Sequence, residues 1–421
     1  MYPRSRARLS AHPSALVVCG AFLLAGCESY EAAPVELAAI GRELAQSDVP
    51  VELDLAGALR FAEERDPELR RRAHEARAAL LDVPGFELMY SMGTRDGMAD
   101  LTIDPAELFG LLQRGAAFDS AEAERALLVA EWQEARWRLG TELAAIFLSA
   151  QRLEQLAPPR FDVDERAFES AGLASPNAVA RLRSARLAAE LEQQELAAER
   201  ERLRARFARR LGVPRERCPR LRFDAGDEDE FLARAQLVVD FAARPDLRVA
   251  EARYLRAEAA LYEASAAQYP RLRVGPEWMI GSSSWGGMFQ VYLPLDAGGP
   301  VRAARERREA ARAELDATWL AAEEELWILE QDLALASARV QQLEAATHAA
   351  ELALQSARAE LELDAAAFEM VAERAAMWAR DSGERRMASL REAELLARAG
   401  ARGGAVPYAR ERAELVAEGR P

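Results

Sequence analysis

Asp66-Pro67-Glu68-Leu69-Arg70, framed by Leu59 and Ala79, returns in the second half of the chain as Arg244-Pro245-Asp246-Leu247-Arg248, framed by Leu237 and Ala257. Each copy sits in a short opening helix. Each is followed by a short hydrophobic hairpin and then by a long Ala/Arg/Glu-rich helical tract. The entries into the two tracts also match, with Arg114, Ala116, Ala123 and Leu127 against Arg302, Ala304, Ala311 and Leu315. A unit this long is too large for a solenoid repeat. The order of elements reads as one tandem-duplicated, elongated architecture, which excludes most enzyme folds.

Composition agrees. Ala, Leu, Glu and Arg dominate the 421 residues, and aromatics make up only 7%; this is the profile of long helices rather than of a mixed globular core. The chain has no Lys, so all 55 basic residues are Arg. A net charge of -15 argues against a nucleic-acid partner. Acids and arginines interleave along the expected helices as a solvated, salt-bridged face.

The N-terminus reads as an export signal. Arg4, Arg6 and Arg8 precede the apolar run Ala15 to Leu24, which is too short to span a bilayer. Leu24-Ala25-Gly26-Cys27 then resembles a bacterial lipobox, which implies a signal peptide over 1–26 and lipid on Cys27. An ordinary signal with an incidental Cys is the plainer alternative. Glu28, not Asp, follows, so the expected address is the outer membrane of a Gram-negative bacterium. With Cys19 in the signal and Cys27 lipidated, Cys218 stands alone and no intramolecular disulfide is expected.

Further along, 27–52 reads as a lipid-anchored polar tether. A first helix is expected to start after Leu53-Asp54-Leu55 and to hold to about Leu81. Phe86–Met92 and Met98–Ile103 flank the turn signal Thr94-Arg95-Asp96-Gly97 as a hairpin. A tract from Ala106 to Ala157 would make a helix about 78 Å long, broken at Pro158-Pro159. A helix from about Ala178 to Leu211 carries Leu182, Ala189, Leu196 and Leu203 at heptad spacing. A second opening helix is expected over about Phe231–Gln268. A second hairpin pairs Leu272–Ile280 with Met288–Leu295 around a Gly281–Gly287 turn. The last tract holds two heptad rows: Ala322, Leu329, Ala336, Leu343, Ala350 and Ala357, and Leu326, Leu333, Val340, Thr347, Leu354 and Leu361. The rows fail at Asp364, where the chain is expected to fold back, although Asp381-Ser382-Gly383 is the stronger local breaker.

Together these features resemble the TolC-type outer-membrane efflux family. Leu53-Asp54-Leu55 with Asp66-Pro67-Glu68-Leu69 looks like its opening. Ala171-Gly172-Leu173-Ala174-Ser175 resembles its helical-hairpin tip, and Leu211-Gly212-Val213-Pro214 the end of the returning helix. Arg244-Pro245-Asp246-Leu247 and Tyr269-Pro270-Arg271-Leu272 resemble its second opening, and Leu293 to Gly299 its strand-to-helix junction. The resemblance covers roughly Leu53 to Ala399. It implies a mainly α fold with a small β part. Long antiparallel coiled-coil hairpins would fall in two repeats, 53–230 and 231–400, each with a β-hairpin, before a disordered tail over 401–421. Three copies would form an α-barrel tunnel and a 12-stranded β-barrel, since lipid does not tolerate the open edges of a lone four-stranded sheet. The implied role is the passive outer-membrane conduit of a tripartite efflux system. Its partners would be a periplasmic adaptor, an inner-membrane pump and outer-membrane lipid. The chain departs from the pattern in its short first hairpin, in Pro158-Pro159, and in lacking a Gly near 359–364.

On that resemblance Gly172, Leu173 and Ser175 would meet the adaptor, although Ser175 equally suits a helix N-cap. Glu360, Glu362 and Asp364 would line the periplasmic aperture; the plainer alternative is solvated surface acids. Trp278, Trp285, Phe289 and Tyr292 would form a membrane aromatic girdle, or pack on a neighbouring strand. No nucleophile-base pair, phosphate loop or Cys/His metal spacing occurs, so no enzyme, cofactor or metal is expected. A lipid-anchored coiled-coil scaffold that does not conduct is the competing reading.

Overall fold

The computed structural model describes residues 40, 48–81, 92–95, 98–102, 111–156, 175–223, 241–269, 271–279, 284–292, 298–364 and 367–401. The signal, Cys27, Pro158-Pro159, Gly172, Leu173 and the tail beyond Ala401 lie outside them. The body from Asp48 onward is mostly helical. It contains β1 (Glu52–Leu53), α1 (Leu55–Arg65), α2 (Pro67–Leu81), β2 (Met92–Arg95), β3 (Met98–Thr102), α3 (Leu111–Gln155) and α4 (Pro176–Arg210). These are followed by β4 (Arg220–Leu221), α5 (Pro245–Ala266), β5 (Arg271–Met279), β6 (Ser284–Tyr292), α6 (Gly298–Leu363) and α7 (Phe368–Ala401).

The opening helix is two helices rather than one. Pro67 has no N–H and cannot continue α1. Asp66 serves both sides of the break. Its N–H donates to the Ala62 carbonyl at 2.7 Å, and its carboxylate accepts from the backbone of Glu68 and Leu69 at 2.9 and 3.0 Å. In the second half α5 starts at Pro245, after a short 3-10 turn at Phe241–Ala243; the part of the expected opening helix over 231–240 lies outside the described residues.

At about 1.5 Å per residue, α3 is roughly 68 Å long and α6 roughly 100 Å. Both helices are shared by two packing zones. In one, α2, α3, α5 and α6 lie side by side in that order; in the other, α7 is flanked by α3, α4 and α6. Ion pairs fix the antiparallel register of α6 against its neighbours. Glu314 and Arg308 meet Arg253 and Glu258 of α5, whereas Glu325, Asp332 and Glu344 meet Arg398, Arg391 and Arg385 of α7.

The heptad rows are the seams. Leu182, Ala189, Leu196 and Leu203 are buried, as are Ala322, Leu329, Leu343, Ala350, Ala357, Leu326, Val340, Thr347 and Leu354. Thr347 satisfies its buried hydroxyl on the Leu343 carbonyl at 2.7 Å. The fold-back falls at Asp364, between α6 and α7, and α7 runs unbroken through Asp381-Ser382-Gly383. A long-range seam thus overrides a local breaker.

The central core joins α1, α3, α4 and α7 through Leu59, Leu143, Phe147, Phe207, Leu211 and Leu396. Phe147 and Phe207 meet edge to face at 5.6 Å. Helix α4 ends in a Schellman turn, in which Val213 N donates to Ala208 O and Gly212 N to Arg209 O. Gly212 takes a φ of 64°, and a Cβ there would lie 2.8 Å from the Arg65 carbonyl. Next, β4 pairs in parallel with β1, so the loop expected over 214–230 contains a strand that holds the end of the tether.

Candidate functional site

The first tip is closed by Ser175. Its hydroxyl accepts the Ala178 N–H at 3.2 Å and Pro176 occupies the first turn, so it is an N-cap. Ala178, Val179, Leu182 and Ala185 of α4 pack with Leu354 and Ala357 of α6 and with Phe368, Val371, Ala372 and Ala375 of α7. One apolar cluster therefore holds the start of α4 beside the α6–α7 fold-back. Glu360 and Asp364 are exposed there; the Glu362 side chain lies outside the described set. Only packing between segments far apart in sequence brings Ser175 and Asp364 to one end.

Higher on α4 and α7, Arg386 reaches Glu192 at 2.7 Å and also bonds Glu195; the Arg386 and Glu192 side chains are each 9% exposed. Gly383 lies against the pair, and a Cβ there would be 3.3 Å from Glu192 Oε2. No local pattern marks Arg386 among the other arginines of α7.

A second node surrounds Arg244, which is 2% exposed. It bonds Asp246 at 2.7 Å and Glu325 at 3.0 Å, and lies 5.8 Å from the Trp137 ring centre. Burial opposes ionisation of Asp246. The hydrogen bonds and charge of Arg244 outweigh it and hold the carboxyl below its ordinary value. Trp137 in turn donates to the Ala401 carbonyl at 2.8 Å. Elsewhere, Glu68 is brought down to about 2 by hydrogen bonds from Arg71 and Arg72. Burial pushes the Cys218 thiol up, which makes it unreactive. Among the described residues no group of His, Cys, Asp and Glu is clustered to hold a metal.

The four remaining strands form one antiparallel sheet in the order β2-β3-β5-β6. Trp285 and Gly287 lie in β6, and Thr94 and Arg95 in β2, so both turns are shorter than the Gly-rich and polar signals suggest. Trp278 stands opposite Trp285, Val274 opposite Phe289 and Leu101 opposite Trp278. With a period of two, this register assigns every strand residue to a face. Leu272, Val274, Pro276 and Trp278 share one with Trp285, Phe289, Val291, Leu101 and Met92. All five charged residues of these strands, Arg95, Asp100, Arg271, Arg273 and Glu277, fall on the other. Tyr292 also falls on the charged face, opposite Arg271, whereas Trp278, Trp285 and Phe289 share the uncharged one. Among the described residues, β2 and β6 are the edge strands and each pairs on one side only. No described helix is long and apolar enough to cross a membrane.

No protein-family model matches the chain, and no curated protein matches it in sequence. Solved structures do. The outer membrane protein VceC of Vibrio cholerae superposes with a TM-score of 0.58 at 19% identity, covering 84% of this chain and 97% of that one. CusC, whose structures describe folding and transmembrane channel formation, gives 0.57 at 15% identity, covering 86% and 96%. The CmeC outer membrane channel of Campylobacter jejuni gives 0.58 at 11% identity, covering 86% and 88%.

The chain has the TolC-type fold. Identity this low speaks for architecture alone. The TolC-type fold is legible here because it rests on helix length, seam spacing and strand order, none of which needs a particular residue.

Proposed function

We propose that this chain is the outer-membrane channel of a tripartite export system, a passive conduit and not an enzyme. The observation that carries the reading is the segregation of charge on the four-stranded sheet. A sheet with one uncharged face and two edge strands suits lipid only when it is closed into a barrel. Nine-residue strands are about 30 Å long, or about 23 Å along the membrane normal at a 40° tilt, which matches an apolar band of roughly 25 Å. Three copies would supply twelve strands, with the charged face toward the lumen and Trp278, Trp285 and Phe289 toward lipid.

The helices also favour a homotrimer. Helix α6 buries one seam within the chain and exposes a second on its opposite side. Leu320, Trp327, Leu335 and Leu352 are 52–69% exposed along it, and an apolar stripe of this length needs a neighbour. At the far end, Gly172, Leu173 and Ser175 would meet the adaptor, and a pump would lie beyond. Glu360, Glu362 and Asp364, repeated three times, would ring the aperture and favour cations. Lipid on Cys27 would hold the complex in the outer membrane.

The competing scaffold reading draws on β2 and β3, which have only four and five residues against the roughly nine to eleven that cross a bilayer. Conductance of the purified mature protein in planar bilayers separates the two. Discrete, stable steps support the channel; intact, membrane-bound protein without conductance supports the scaffold.

A further inference from the structure

Helix α6 is electrically lopsided. Its first eleven residues, Gly298 to Arg308, carry four arginines and one acid, whereas Glu309 to Leu363 carry twelve acids and three arginines. Arg308 is neutralised by Glu309 and Glu258, and Arg302 bonds the Gly298 carbonyl at 3.2 Å. Arg305 and Arg307 are exposed and have no ion-pair partner among the described residues; Glu306 beside them and Glu263 in the last turns of α5 are exposed acids at this level. Exposed arginines without an ion-pair partner are suited to an external anion.

The register of the neighbouring helix shows what lies at that level. Arg308 meets Glu258 and Glu314 meets Arg253, so the first turns of α6 run beside the last turns of α5. There Tyr262 and Tyr269 are 43% and 59% exposed. Tyr269 precedes the first residue of β5 by two positions, and Gly298 follows the last residue of β6 by six. Trp278 and Trp285 pair at the opposite end of the same strands. Aromatic residues therefore stand at both ends of a segment that rises about 23 Å along the membrane normal at a 40° tilt, close to an apolar band of roughly 25 Å.

We propose that Arg302, Arg305 and Arg307 of α6, with Tyr262 and Tyr269 of α5, form a collar that binds the phosphate headgroups of anionic phospholipids in the leaflet on the helical side. The inference rests on the sheet being the membrane-spanning part. Arg302 and Arg305 lie about 6 and 10 Å along the axis from Gly298. Their side chains reach back into a headgroup layer some 5–7 Å thick and carry guanidinium donors matched to phosphate. The tyrosines place an apolar ring at the acyl boundary and a hydroxyl in the headgroups.

The test uses the mature full-length protein reconstituted in phosphatidylcholine bilayers containing a minor fraction of spin-labelled phosphatidylglycerol or spin-labelled phosphatidylcholine. Enrichment of each lipid at the protein is read from the immobilised spectral component. The wild type should enrich phosphatidylglycerol over phosphatidylcholine by roughly three- to ten-fold at low salt. The R302Q/R305Q/R307Q variant should lose most of that preference. R181Q/R183Q/R202Q, exposed on α4 far from the sheet, should retain it. Equal enrichment of both lipids by the wild type, or an unchanged preference in the collar variant, overturns the proposal. Conductance of the same preparation reports the channel reading separately. A conducting protein without lipid preference loses only the collar. A collar-dependent preference without conductance keeps the collar and removes the channel.

Discussion

Asp66 and Arg244 stand at the same step of the two halves, immediately before Pro67 and Pro245, both buried and opposite in charge. Asp66 caps α2 and lies 3.8 Å from Arg210, which also bonds Glu142. Arg244 cannot cap α5; it bonds Asp246 and Glu325 instead. Each half thus ties its opening helix to a long helix through a buried ionic node of reversed polarity. In the first node the acid precedes the proline and the arginine comes from α4. In the second the arginine precedes the proline and the acids come from α5 and α6.

Arg244→Ala removes the partner of Asp246 and leaves the half-exposed Glu325 on Arg398; it should cost about 1–3 kcal/mol, the loss of charged hydrogen bonds at a partly buried site. Denaturant unfolding followed by Trp137 fluorescence measures it.

The pH dependence of this node has a definite sign. The folded carboxyl of Asp246 lies below its ordinary value of 3.8. Its contribution is therefore fully present above pH 3.8 and is lost as pH falls through the folded value. The stability gap between wild type and Asp246→Asn should be constant above about pH 5 and shrink on acidification. A gap that widens in acid would contradict the assignment.

Gly212 is the position where glycine itself matters. Its positive φ and the 2.8 Å approach to the Arg65 carbonyl both penalise a side chain. Gly212→Ala should destabilise by about 1–3 kcal/mol, and Gly57→Ala, at a negative-φ helical site where a side-chain end rather than backbone is approached, by less. Thermal unfolding of the two variants makes the comparison.

Arg386 and Glu192 join α7 to α4 across the two halves. Glu192→Leu alone should be destabilising, with Arg386 left on the half-exposed Glu195. The double change Glu192→Leu with Arg386→Met should recover most of the loss, because a buried ion pair is often replaceable by apolar packing of similar volume. A double-mutant cycle on unfolding free energy reads the coupling.

The sheet offers a test of facing. Val274→Arg, on the uncharged face, should impair membrane insertion by about 2–4 kcal/mol if it lies near mid-bilayer. Gly275→Arg, one residue on and facing the other way, should leave insertion intact. Folding into lipid vesicles, followed by the fraction protected from protease, distinguishes the pair. Equal effects would contradict the register.

The helices were legible in the sequence because their information is periodic. Heptad rows such as Leu182 to Leu203 survive any single exception, and they placed the α6–α7 fold-back at Asp364 against the local signal at Gly383. Features set by geometry were not legible. The break at Asp66-Pro67 depends on a side chain bonding backbone two and three residues on. The inclusion of Trp285 and Gly287 in β6 depends on pairing with β5. The separation of Tyr292 from Trp278 depends on strand register, which composition does not encode. The Arg386 and Arg244 nodes were hidden because one arginine in an Ala/Arg/Glu helix reads like another until its neighbours are placed.

The central claim is that four strands per chain are pooled by three copies into a closed, conducting barrel. Electron microscopy of the detergent-purified mature protein, with subunits counted from the particles, tests it most directly. The account predicts a three-fold, hollow particle with a short membrane-embedded ring above a long helical stem. A monomeric or solid rod, with no ring at the sheet end, would contradict it.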